Sequence, residues 1–241
     1  MIPPPSPPEP SPDADRDREP ELSEAARSAL EPVVALLEHD SAAPSGPGAS
    51  RRAWTVHVAD SLSGLVFADL RSARAVCDVG SGAGFPGLVL AAMLPEARVD
   101  LIESVGRKCE FIERAIAAGG LANARAVNVR AEEWAAADGH EAYDAVTARA
   151  VGRLSTLAEL ASPLLPAGGV LVAWKGRRDP GEESELGRAA VELAMTPEEV
   201  RHVGPYGGSE HRHLHLVRKV GETPSGLPRR PGMAKKRPAG T

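Results

Sequence analysis

Residues 74–87, RAVCDVGSGAGFPG, restrict the fold more than any other stretch of this 241-residue chain. Ala75, Val76, Cys77 and Val79 form an apolar run of the length of a strand buried on both faces. Gly80, Gly82, Gly84 and Gly87 follow, so the strand must end in a tight turn that lets a ligand approach the backbone. Pro86 suits the first turn of a helix, where no intrahelical hydrogen bond is lost. Leu88, Val89, Leu90, Met93 and Leu94 continue that helix and Pro95 ends it. A strand, a glycine turn and a helix N-terminus in this order make a nucleotide-type binding corner.

Three readings of that corner stay open on the motif alone. Gly82-x-Gly84-x-x-Gly87 satisfies a dinucleotide fingerprint, and Glu103 lies at the distance of a ribose-binding acid. The turn is also compatible with a purely structural role. Asp78 directly before Val79-Gly80, with glycines spaced GxGxG, favours S-adenosylmethionine, whose methionine part needs no pyrophosphate cradle.

Composition bounds the class. The chain is 42% hydrophobic, enough for a core, and no apolar run approaches the ~20 residues of a membrane span. The proline-rich, acidic N-terminus is no secretory signal, and Cys77 and Cys109 read as small core residues in a reducing compartment. A cytoplasmic protein is expected. The net charge of −5 is unevenly spread. Residues 1–24 hold seven acids and two bases, whereas residues 218–241 hold seven bases and one acid. A basic tail can favour an anionic partner, or it can be merely solvated.

Four regions follow in chain order. Residues 1–20 are too polar and proline-rich to offset ordering entropy and read as a disordered tail. Residues 21–73 read as a helical segment. It comprises a helix at 22–39 interrupted by Pro32, a loop at 40–50, and a second helix at 51–70 bearing Trp54, His57 and Ser61 on one face. His57 is read either as a packed histidine or as a residue facing substrate. Residues 74–220 alternate strand and helix. Strands are expected at 75–79, 99–103, 124–130, 143–150 and 170–174. A final pair at 198–203 and 211–220 is joined too closely for a crossover, so it should be antiparallel. Residues 221–241 form a basic tail. The fold class is therefore α/β: a mostly parallel seven-stranded sheet with a C-terminal antiparallel hairpin, Rossmann-like, as in S-adenosylmethionine-dependent methyltransferases. His211, His213 and His215 alternate along the last strand, but no acid or cysteine near them suggests a metal site.

In such a sheet the ligand lies across the carboxyl ends of the strands. After the first strand come Gly80, Gly82 and Phe85, the phenylalanine to pack on the ligand. Glu103 ends the second strand and suits a diol, accepting both hydroxyls. Ala131 and Glu132 follow the third strand, where an amide and a carboxylate can read an adenine edge. Arg149 ends the fourth strand and Lys175 the fifth. Glu103 and Glu132 also admit a reading as helix N-terminal acids.

At this point the residues resemble a family. W-x-x-H-x-x-D-S-L at 54–62, then CDVGSGAGFPG, ESVGRKCEFI, VRAEEW, TARAV, WKG and LPRRPGMAKKRP, are similar to the bacterial small-subunit ribosomal RNA guanine-N7 methyltransferases (RsmG, also called GidB) over residues 51–238. The resemblance implies cofactor contacts at Gly80, Phe85, Ala131, Glu132 and Arg149, with Glu103 as the acid after the second strand. It implies methyl transfer from S-adenosylmethionine to N7 of one guanosine in the decoding-region loop of 16S ribosomal RNA. One departure is Pro44-Ser45-Gly46-Pro47-Gly48, where the family usually has an Asn-Leu-Thr type segment.

Guanine N7 carries a lone pair and no proton, so no general base is required and no residue is assigned that role. No cysteine stands where a covalent nucleophile would be needed. RNA affinity is expected from Arg51, Arg52, Arg229, Arg230, Lys235, Lys236 and Arg237. Aromatic residues make up 3% of the chain, which leaves Trp54, Phe85, Trp174 and Tyr206 as stacking candidates. The expected partner is 16S RNA or the small ribosomal subunit, with neither membrane nor metal, and the protein is expected to be a monomer. The alternative is a methyltransferase acting on another RNA or a small molecule, which would not need the basic tail.

Overall fold

A computed structural model describes residues 21–39 and 52–240. The expectations for residues 1–20, for the loop at 40–50 with its departure at 44–48, and for Arg51 lie outside the described residues.

The seven strands are β1 (Ala75–Val79), β2 (Arg98–Ile102), β3 (Ala124–Val127), β4 (Ala145–Arg149), β5 (Val170–Lys175), β6 (Met195–Val203) and β7 (Arg212–Lys219). They form one sheet in the order β3-β2-β1-β4-β5-β7-β6. The first five are parallel, and β7 enters antiparallel between β5 and β6. The expected hairpin is present, and its first strand starts earlier than expected, at Met195.

The two-residue period of the strands divides the core into two layers. Val76, Val99, Leu101, Val170, Val172 and Trp174 face a cluster with α1 (Glu24–His39), α4 (Gly87–Met93) and α5 (Gly106–Gly119). Cys77, Val79, Val146, Leu171 and Ala173 face the other cluster, with α7 (Leu154–Ala161) and α8 (Pro180–Glu192). Alternate residues of one run thus enter opposite layers, as a doubly covered sheet requires. Both cysteines are buried and free. Gly120 ends α5 in the left-handed region at φ 60°, as the Gly119-Gly120 pair predicts. Asp179 caps α8 by accepting from the amides of Gly181 and Glu182.

Two expectations are corrected. Helix α1 runs from Glu24 to His39 through Pro32, whose ring stands on the exposed face. Residues 51–70 are not one helix. A π-helical turn (Ala53–Ala59) leads to α2 (Asp60–Leu62) and a 3₁₀ turn (Ser63–Val66), and extended Phe67 separates these from α3 (Ala68–Arg71). The break follows from packing. The Trp174 ring lies so close over Gly64 that a Cβ there would meet it at 2.3 Å. Residues 221–240, which carry the basic tail, pack on the domain. They fold back over α7, passing through the short helix α9 (Met233–Lys236), with α6 (Ala131–Ala135) on the far side of the contact.

Candidate active site

The glycine turn is held from below. The amides of Gly80 and Ser81 both donate to Ile102 O, at 2.8 and 3.2 Å, which clamps the end of β1 to the end of β2. Gly80 has φ +66°, and a Cβ on it would lie 2.8 Å from Val151 Cγ2, so the chain needs glycine here on both counts. Pro86 is the N-cap of α4, one position before the expected first turn. Asp78 is fully buried and serves the protein itself. Its Oδ2 accepts from the Gly87 amide at 3.1 Å and its Oδ1 from Thr147 Oγ1 at 2.9 Å. Burial raises its pKa to about 6. Asp78 therefore ties turn, helix and β4 together.

Glu103 is also directed at the turn. Its Oε2 accepts from the Gly82 amide at 3.0 Å and its Oε1 from the Val105 amide at 2.8 Å. A carboxylate has about four lone-pair directions, so both oxygens keep capacity for a diol. Asn128 Nδ2 donates to Glu103 O at 2.8 Å and fixes the backbone there.

Two cavities open at the carboxyl ends of the strands, on either side of the loop after β4. The first, about 170 Å³, is lined by Val79, Gly80, Ile102, Ser104, Val129, Ala131, Glu132, Val151, Leu160 and, from the C-terminal segment, Gly232, Ala234 and Lys235. Arg130 and Thr156 complete the lining; Val79, Ile102, Val129, Val151 and Leu160 give it apolar surface, and the Glu132 carboxylate is one of its polar groups, which suits a purine held by its edge. The Glu132 Oε1 already accepts from the Gly232 amide at 2.6 Å, which leaves Oε2 for a ligand's amine. The second cavity, about 410 Å³, is lined by Val56, His57, Arg149, Ala150, Gly152, Trp174, Lys175, Gly176 and Arg212. Val151 faces the first cavity while its neighbours Ala150 and Gly152 face the second, so this loop is the partition between them. Ala150 holds the sharp turn at φ +60°, a strained setting for a residue with a Cβ.

Arg149 organises the second cavity. One of its nitrogens donates to Asp60 Oδ2 at 3.0 Å and another reaches His57 Nδ1 at 3.1 Å. Arginine only donates, so His57 Nδ1 accepts, and the ring is neutral with its proton on Nε2. Burial and the neighbouring guanidinium lower the His57 pKa to about 4. Asp60 is fully buried and holds a second cation, Arg212, whose Nε lies 2.8 Å from Oδ1. Lys175 Nζ donates to Glu182 Oε1 at 2.6 Å and to Gly152 O at 3.0 Å, bracing the partition loop.

The structure brings Gly80, Ala131 and Glu132 to the first cavity and Arg149 and Lys175 to the second. Gly82 and Glu103 meet at the rim of the turn. Phe85 lines neither cavity. It is buried, stacked on His57 at 5.1 Å between centroids and covered by Arg149 at 5.9 Å. Trp174 is 1% exposed and donates to Asp60 O. Neither ring is therefore open as a platform for a base. Arg229 is likewise no free cation, because its Nε and one Nη donate to the buried carboxylate of Glu159. Asp60 was missed, although its spacing of three from His57 puts both on one face of a turn. The wall formed by Gly232 and Ala234 was also missed; its only signal is the apolar Leu227, Met233 and Ala234 set among the bases of the tail. Among the described residues no group of three or more His, Cys, Asp or Glu is placed to hold a metal ion, and no helix is long and apolar enough to cross a membrane.

A glycine turn at the carboxyl edge of a sheet in this order, closed by an antiparallel seventh strand, defines a Rossmann-like methyltransferase, the fold that serves S-adenosylmethionine. Solved structures agree on the fold. A SAM-dependent methyltransferase from Aquifex aeolicus superposes with a TM-score of 0.54 at 16% identity, covering 78% of this chain and 97% of that one. Aeropyrum pernix fibrillarin with natively bound S-adenosyl-L-methionine gives 0.52 at 14% identity, covering 66% and 72%. The family is shown by sequence. A family model described as "rRNA small subunit methyltransferase G" (GidB) matches residues 45–214. The protein named ribosomal RNA small subunit methyltransferase G from Rubrobacter xylanophilus is 44% identical over 187 residues, 76% of this chain and 71% of that protein. Its namesake from Pelotomaculum thermopropionicum is 40% identical over 184 residues, 76% and 77%. The chain belongs to the rRNA small subunit methyltransferase G family and is an S-adenosylmethionine-dependent methyltransferase.

Proposed function

We propose that this enzyme methylates N7 of a guanosine in the decoding-region loop of 16S ribosomal RNA, presented by the small ribosomal subunit or its RNA, in the cytoplasm. In this reading the first cavity takes the adenosine of S-adenosylmethionine. Glu132 and Ala131 meet the adenine edge, Glu103 meets the ribose, and Gly80 and Gly82 give room at the turn. The second cavity takes the target base. When bound, S-adenosylmethionine supplies an electrophilic methyl group on a sulfonium.

The single observation that carries the N7 assignment is the character of the second cavity. Among the described residues its lining holds three cations, Arg149, Lys175 and Arg212, and no carboxylate. Its one histidine has its basic nitrogen engaged by Arg149 and carries its proton on the other. Among the described residues, no side chain of that lining is free to accept a proton. Methylation of an amino nitrogen or of carbon must discard one, whereas N7 has none to lose. The N7 and O6 edge of guanine is also made of acceptors, which matches a cavity rich in donors. Asp60 and Glu182 balance the cations from behind, so the positive charge arriving on the base meets little net repulsion. A base in a loop can be unstacked into such a cavity at modest cost.

The test is transfer of a tritiated methyl group from S-adenosylmethionine to small subunits from cells lacking this gene, followed by nucleoside analysis. Label in 7-methylguanosine is the expected result. Label in another nucleoside would overturn the N7 assignment. No label, with cofactor binding intact, would turn the search to another RNA or a small molecule.

A further inference from the structure

The basic C-terminal segment is built into the cofactor cavity. Gly232, Ala234 and Lys235 line that cavity opposite Gly80 and Val79. The segment is docked by a short set of contacts. Arg229 grips Glu159 on α7, the Gly232 amide donates to Glu132 on α6, and Thr156 Oγ1 donates to Ala234 O at 3.2 Å. Ala234, 2% exposed, is its one fully buried side chain between residues 229 and 237. A strap held by a few polar contacts and one alanine belongs to the low-stability part of a fold.

The outer face of the same strap is basic. Arg230, Lys235, Lys236 and Arg237 are exposed within eight consecutive positions. Lys235 belongs to both faces, since it lines the cavity and also reaches solvent. Four cations on one short segment match the regularly spaced phosphates of an RNA backbone.

We propose that residues 229–237 are a shared element of two binding sites, an inner wall for the adenosine of S-adenosylmethionine and an outer ladder for RNA phosphates, so that cofactor and RNA strengthen each other's binding. The proposal rests on the cofactor and RNA reading given above. Its physical basis is that both ligands favour the docked strap. Filling the cavity fixes the strap against α6 and α7, and phosphates on the outer face do the same. Each ligand then finds the ordering already done by the other, and linkage requires the two effects to be equal. Glu132 and Thr156 are central here, because each hydrogen-bonds the strap and lines the cavity.

The experiment measures the dissociation constant of S-adenosylhomocysteine by calorimetry, with and without a saturating 16S RNA fragment spanning the decoding region. It uses the full chain, a chain ending at residue 228, and a variant with Arg230, Lys236 and Arg237, none of which lines the cavity, all changed to Gln. In the full chain RNA should tighten the cofactor product by about fivefold or more, within the usual range of coupling. The shortened chain should bind it at least tenfold more weakly and show no RNA effect, with thermal unfolding checking that the domain is folded. The Gln variant should match the full chain without RNA and lose the RNA effect. Unchanged affinity in the shortened, folded chain, or no RNA effect in the full chain, would overturn the proposal. Failure of the full chain to bind the cofactor product at all would instead overturn the functional reading beneath it.

Discussion

Arg149 holds the buried carboxylate of Asp60 at 3.0 Å, across a sequence separation of 89. This contact fastens the N-terminal turns to the end of β4 and sets the tautomer of His57 in the same stroke. Asp60 has no exposure, and its two cations come from β4 and β7. Removal of Arg149 leaves Arg212 on Oδ1 but strips the buried Oδ2 of its donor, with a cost of about 1–3 kcal/mol. Arg149→Ala should therefore lower the unfolding midpoint in denaturant and also abolish transfer. Arg149→Lys should recover part of the stability and little of the activity, because one ammonium cannot meet Asp60 and His57 together. Chemical denaturation of the three proteins checks this; a fully stable Arg149→Ala would contradict the role given to the pair.

The glycine turn separates two kinds of substitution. Gly80→Ala meets Val151 Cγ2 at 2.8 Å and sits at φ +66°, whereas Gly82→Ala has φ +63° and no atom nearer than Gly80 O at 3.9 Å. Gly82→Ala should cost about 1–2 kcal/mol of backbone strain and, displacing no protein atom, weaken cofactor binding less than Gly80→Ala does. Gly80→Ala should add a clash at the partition and weaken S-adenosylhomocysteine binding at least tenfold. Calorimetric titration of both variants decides the matter, and equal affinities would remove the partition from the account.

Glu103 serves the turn and the ribose with the same two oxygens. Glu103→Ala strips partners from the Gly82 and Val105 amides. Affinity for the cofactor product should fall at least tenfold, with a loss of stability of about 1–3 kcal/mol from the amides left without acceptors. Glu103→Gln keeps one good acceptor and should fall between. Wild-type affinity in Glu103→Ala would sink the ribose assignment.

The pH dependence follows from His57. Its pKa is lowered from 6.5 to about 4, first by burial and then by Arg149. The folded protein thus binds fewer protons than the unfolded chain between those values. The associated stability is present in full above pH 6.5 and is lost as pH falls toward 4. A kcat/KM profile should show no His57-dependent inflection near pH 6.5. An inflection near 6.5 that disappears in His57→Asn would show that the ring titrates freely and is not held by Arg149.

Much of this arrangement was legible in the residues, for physical reasons that differ by element. The apolar runs of β1 and β5 declared a sheet covered on both faces, and the close spacing of β6 and β7 left only an antiparallel pair. The glycines and the positions of Glu103, Ala131, Glu132 and Arg149 then marked one edge of that sheet. What stayed hidden depends on contacts far apart in sequence. Nothing local in 51–70 tells that Trp174 presses on Gly64 and breaks the helix there. Arg229 reads as one more surface cation until Glu159 is found beside it, 70 positions away. Phe85 follows the glycines and invites a ligand contact, yet its ring is taken up by His57 and Arg149.

The central claim is that the two cavities divide the reaction between them, with the loop from Ala150 to Gly152 as the partition. The most direct measurement is a crystal structure of the full chain with S-adenosylhomocysteine. The account predicts adenine density between Ala131–Glu132 and Gly232–Ala234, the ribose against Glu103, and the sulfur directed past Gly80 toward the cavity of Arg149 and Lys175. Density for the adenine in the Arg149 cavity, or with residues 229–237 displaced from the site, would contradict it.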